Sequence, residues 1–200
     1  MADTARRGQR ARHYDRAAVE RYVMGATRAA LVLSEFRAPY RGRSTPVNAW
    51  WGSFDLAVNL FSGEPAEPPS QDFLMRNAMD SQEIAVGWWP GNAGYPKAAF
   101  YAYAHPAPDG FADAAASPGR WDTKLGEFLL DWDTVIATPD PHTTALTFAR
   151  SVTRHACLRG DRARLQTSRH RMSRWACPAP GVTAQAVRRR KIHRDDGPSA

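Results

Sequence analysis

Three carboxylates, Asp55, Glu83 and Glu127, stand inside apolar, strand-like stretches, and aromatic residues crowd the same stretches. An acid among apolar neighbours loses solvation of its charged form, so its pKa rises toward a range suited to proton transfer. On that ground Asp55 and Glu83 are the candidate catalytic residues. Trp51, Trp89, Asn92, Tyr101 and Tyr103 are the candidate ligand contacts, because indole and phenol rings give flat surfaces with one polar handle each. A plainer reading stands beside this one. The carboxylates would lie on a solvated face or be satisfied by Arg or backbone N–H, and one member of each pair Trp50/Trp51 and Trp88/Trp89 would belong to the core.

Other chemistries find no support in the residue spacing. No histidine pair has the i, i+4 spacing with a third acid that a metal site needs, so no metal and no cofactor is expected. Gly52-Ser53 lacks the flanking glycines of a hydrolase elbow, and neither a dinucleotide fingerprint nor a phosphate loop occurs. Cys157 and Cys177 are too few for a disulfide scaffold.

The elements that must carry these residues are legible from periodicity. Val19, Tyr22, Val23, Ala26, Ala30, Leu33 and Phe36 recur at helical steps between a capping Asp15 and a terminating Pro39. Val47–Trp51 and Phe54–Phe61 alternate as strands, with Gly52 permitting a bend between them. A Pro-rich loop with one short helical turn covers residues 63–80. Gln82–Trp89 and Ala98–Ala104 return to strand, and alternation sets Tyr101 and Tyr103 opposite Phe100 and Ala102. Leu125–Leu130 is a short strand that Asp133–Ala137 would extend. A last helix starts at Asp140-Pro141 and turns Leu146, Ala149, Val152 and Ala156 inward. The connections between strands lack crossover helices. The expected fold is therefore α+β, an antiparallel sheet of four or five strands flanked by an N-terminal and a C-terminal helix.

Charge divides the chain. Its 200 residues carry a net +7, yet residues 154–200 hold twelve Lys and Arg against three acids, and residues 1–153 hold fifteen against seventeen. The body is acidic and the ends are basic. A flexible arm over 1–13, a domain over 14–157 and a disordered basic tail over 158–200 follow from this. Basic ends attract polyanions without reading a base, so no specific nucleic acid is expected, and no apolar run suits a membrane. With no secretory signal in view, the expected location is cytoplasmic.

The run Trp51-Gly52-Ser53-Phe54-Asp55-Leu56-Ala57 resembles a bacterial family of uncharacterised proteins, domain of unknown function 5996. So do Gly87-Trp88-Trp89-Pro90-Gly91-Asn92, Ala99–Tyr103 and Leu125–Leu130. The likeness covers about residues 14–152, on the C-terminal half of the family pattern, and implies no known activity. It implies a β-rich first half that this chain lacks, and histidines where this chain has Asn48 and Gln82. The tail after residue 152 does not resemble the family, and its Arg, Pro and Ala content is what a shifted reading frame in GC-rich DNA would encode. Two readings of function remain. One is a small-molecule-binding or hydrolase-like enzyme domain with an aromatic and carboxylate pocket. The other, which suits this chain better, is a truncated member without activity of its own, whose aromatic surface packs on the missing half-domain or on a second copy.

Overall fold

The computed structural model describes residues 15–50 and 52–167. Helix α1 (Arg16–Arg37) starts where the Asp15 side chain accepts from the Ala18 N–H, and it stops just before Pro39. Its buried line is Gly25, Ala29, Val32, Leu33 and Phe36. Val19 and Val23, read as inward from the sequence, are exposed. The cause is Gly25. With no side chain there the helix comes close to the sheet, and an added Cβ would stand 3.1 Å from the Trp88 ring. That approach selects the line through Gly25, Ala29 and Leu33 as the buried one.

Strands β1 (Asn48–Trp50), β2 (Asp55–Pro65), β3 (Ser81–Trp89), β4 (Ala99–His105), β5 (Arg120–Asp122) and β6 (Glu127–Asp131) form one sheet in the order β1-β2-β3-β4-β6-β5. Every pairing is antiparallel. The sheet is slightly larger than expected because β5 is only three residues long, too short to alternate visibly in a Pro- and Gly-rich segment. A short helix α2 (Phe73–Ala78) interrupts the loop between β2 and β3, capped by Asp72.

Residues 133–137 do not extend β6. They form helix α3 (Trp132–Ile136) and its C-cap Ala137, and the Trp132 ring lies 5.7 Å from Trp88 and 6.0 Å from Phe100, so the chain turns onto the sheet instead of continuing along it. Helix α4 (Pro141–Thr167) opens with Asp140 accepting from Thr143 N–H and buries Leu146, Ala149, Val152 and Ala156 as expected. It runs ten residues past the boundary read at Cys157. Leu, Arg, Ala and Gln after that point are good helix formers and carry the backbone on without an apolar stripe. The expected arm and the tail from residue 168 onward lie outside the described residues.

Both long helices pack on one face of the sheet. Val58, Leu60, Ile84, Val86, Trp88, Phe100 and Phe128 point toward them and form the core. On the surface, Glu35 of α1 accepts from or pairs with His142 (2.8 Å) and Arg150 (3.6 Å) of α4, tying the helices together. Among the described residues no helix is long and apolar enough to cross a membrane.

Candidate functional site

The alternation that buries one face of the sheet sets the candidate residues on the other. Antiparallel register puts Trp50 opposite Asp55, Gly87 opposite Tyr101, Tyr101 and Arg120 both opposite Leu129, and Asp122 opposite Glu127. Ala57, Ala85 and Gly87 make a low floor between the larger side chains. The Tyr101 and Tyr103 rings lie over it, stacked 6.4 Å apart with 7° between their planes. A Cβ on Gly87 would overlap the Tyr101 ring carbon Cζ and its hydroxyl, so this glycine is what lets the ring lie flat.

Lying flat, Tyr101 reaches across β3 to β2. Its hydroxyl donates to Asp55 Oδ2 at 2.6 Å, and Ser53 Oγ donates to Asp55 Oδ1. Ser53 is folded back by a tight turn in which Ser53 N–H and Phe54 N–H both donate to the Trp50 carbonyl, at 3.3 and 2.7 Å. The turn holds Phe54 at φ +58°, a left-handed conformation that bulky side chains avoid. Tyr22 supports it from α1, donating to the Phe54 carbonyl at 2.9 Å and packing edge-on against the Phe54 ring.

Ser53, Asp55, Trp89, Tyr101 and Glu127 line one open cavity of about 150 Å³. Asp55 is buried, and its carboxylate is held by two donors. The Glu127 carboxyl has no hydrogen-bond partner among the described residues. Burial pushes its carboxyl up to about 7, and the charges of Asp122 and Asp55 push the same way. Burial also raises the Tyr101 phenol far above its ordinary value, with Asp55 adding to the effect. Tyr101 is therefore a fixed neutral donor.

Two clusters flank the cavity. At one end Glu83, 2% exposed, accepts from Asn59 Nδ2 at 2.9 Å, and the Tyr103 hydroxyl lies 3.5 Å from its other oxygen. Burial raises its pKa, while Asn59, His105 and Tyr103 pull it back. At the other end Trp89 stacks on Tyr95, centroids 5.8 Å apart. The Tyr95 hydroxyl donates to Asp131 and accepts from Arg120 at 2.8 Å, and Arg120 also pairs with Asp122 at 3.2 Å.

Asp55, Trp89 and Tyr101, picked from the sequence, thus meet in one cavity. Tyr103 backs Tyr101 and does not line the cavity. Glu83 stands apart from it at the far end of the same face. Asn92 is a turn residue, its side-chain oxygen accepting from Gly94 and Tyr95 N–H, and Trp51 lies outside the described residues. Ser53, Glu127 and Gly87 were not assigned to the site. Alternation along residues 125–130 marks Glu127 as facing away from Phe128, which is the signal that could have found it.

The raised pKa of Glu127 has a consequence for stability. Its folded value of about 7 exceeds the ordinary 4.5, so between these values the folded state keeps a proton that the unfolded state has lost. Stability then falls as pH rises through that window. Glu127→Gln is expected to flatten the fall and to gain about 1 kcal/mol at pH 8, a figure discounted for the solvent that reaches the group. Urea midpoints at pH 5 and pH 8 measure this; identical pH slopes in both proteins would remove Glu127 as the cause.

No curated protein and no solved structure matches the chain. A family match does exist, and it extends beyond the stretch in which the resemblance was read, covering residues 3–167 and with them every element described above. On that match the chain belongs to the family of unknown function DUF5996.

Proposed function

We propose that the open face of the sheet binds a small polar molecule in the cavity between Asp55 and Glu127. One observation carries this reading: two carboxylates, one tethered by Ser53 and Tyr101 and the other without a partner among the described residues, line the same cavity beside the rings of Trp89 and Tyr101. A carboxyl with a pKa near 7 beside a fixed phenol donor also supports proton exchange with whatever is bound. Fragment screening by NMR tests the reading. Binders are expected to shift the Trp89 indole resonance and to weaken about tenfold in Trp89→Ala, as the loss of a stacking wall implies. Binders that leave Trp89 untouched would place the ligand elsewhere.

A second reading rests on a different observation. Trp50 is 46% and Phe54 61% exposed, both at the edge of the sheet where β1 is only three residues long. An edge strand with exposed rings beside it favours association with another chain or with a second copy. Light scattering at tens of micromolar checks this. Association that survives Trp50→Ser with Phe54→Ser would sink it.

A further inference from the structure

We propose that the ligand of this cavity is an organic cation, an ammonium or guanidinium group on a small flat body. The inference deepens the small-molecule reading above and depends on it. The cavity wall holds two carboxyl groups, two aromatic rings and two hydroxyls that both donate to Asp55, with no cationic side chain among its described lining residues. Nearby cations are engaged elsewhere. Arg120 is occupied by Asp122, Asp131 and the Tyr95 hydroxyl, and Lys97 pairs with Asp131 at 3.6 Å.

A bound anion would face Asp55 and Glu127 without compensation. A cation would meet both of them, beside the indole and phenol rings, whose π-electrons attract a positive charge. Asp55 already has its donors from Ser53 and Tyr101, whereas the Glu127 carboxyl has none among the described residues and is the group left to receive a charged N–H. The space of about 150 Å³ is of the order that takes one benzene ring, which suits an arylmethyl- or alkyl-ammonium group.

Binding of such a cation is linked to a proton. The titratable and charged groups facing Glu127 are Asp122 and Arg120 on β5, Asp55 on β2, and Tyr101 and Tyr103 on β4; burial first, and then the charges of Asp122 and Asp55, hold its proton on near neutrality. A cation placed between Glu127 and Asp55 favours the carboxylate and expels that proton into solvent. Below the Glu127 pKa only the ionised fraction is competent, so affinity for a permanently charged ligand falls by about tenfold for each pH unit.

The test uses the full chain with three probes of one shape: benzylammonium, benzyl alcohol and benzoate. Calorimetry in buffers of different ionisation enthalpy reads affinity and proton release together. Benzylammonium is expected to bind at least tenfold more tightly than benzyl alcohol, with benzoate weaker still. At pH 7 a fractional proton should be released, and it should nearly vanish at pH 8, where the ammonium is still charged, and in Glu127→Gln. Asp55→Asn should weaken benzylammonium without abolishing proton release, which separates the two carboxyl groups. Benzyl alcohol or benzoate binding as tightly as benzylammonium at Trp89 would overturn the cation inference and leave the small-molecule site standing. Failure of all three probes at millimolar concentration would overturn both.

Discussion

Trp88→Ala is expected to lower the unfolding free energy by about 3–5 kcal/mol, and Trp89→Ala by only about 1–2 kcal/mol. The two residues are adjacent in β3, and the pleat sends them to opposite faces. Trp88 is 2% exposed and is enclosed by Tyr22 and Trp132, whose rings lie 5.9 and 5.7 Å away, and by Gly25 of α1. Its indole N–H has no acceptor among the described residues, so the loss on truncation is packing and not a hydrogen bond. Truncation leaves a cavity where α1, α3 and the sheet meet, and rigid neighbours from three elements cannot close it together. Trp89 loses mainly its stack on Tyr95. Equal shifts of the urea midpoint in the two variants would contradict this division of faces.

The same alternation explains how far the sequence could be read. Period two in Leu56–Phe61 and Ala98–Ala104 announced both the strands and the face on which Tyr101 and Tyr103 stand, because burial of one face imposes that pattern wherever a strand is long enough. It failed at β5, where three residues give no period. It failed again at Asp133–Ala137, where Val135 and Ile136 satisfy a strand pattern and a short helix equally well. The helix α1 was legible, and so was the end of its buried line at Leu33 and Phe36, but its first half was not. Hydrophobicity pointed to Val19 and Val23, while the close approach was made by Gly25, a residue whose role lies in having no side chain.

The site was half legible for related reasons. Asp55, Trp89 and Tyr101 stand out by type within strands, and register then brings them together. Glu83 stands out equally by type and is spent on Asn59 at the far end of the face. Strand pairing, which no single stretch encodes, decides between them. Ser53 enters only through the left-handed turn at Phe54, a conformation that the sequence of that turn does not advertise, since neither Gly nor Asn occupies the position.

Gly87→Val carries the other large expected effect, because strand propensity and packing oppose each other there. Valine is a better strand residue than glycine, so propensity alone would forecast a gain of up to about 1 kcal/mol in the middle of β3. The structure forecasts a loss. A Cβ at this position would overlap both the Tyr101 ring and the backbone oxygen of Leu56, and the backbone atom cannot be moved by changing a rotamer. Overpacking of this kind costs about 1–3 kcal/mol or somewhat more, and even Gly87→Ala should fall in that range. The ring would be lifted off the floor, Asp55 would lose the donor now at 2.6 Å, and the cavity wall formed by Tyr101 would go with it. A double-mutant cycle separates the two obstacles. In a Tyr101→Ala background the ring is already gone, so Gly87→Ala should cost about 1 kcal/mol less than in the native chain, and what remains reports the contact with Leu56. An identical cost in both backgrounds would mean that the Tyr101 ring does not rest on Gly87, and the geometry assigned to the Asp55 end of the site would fall with it.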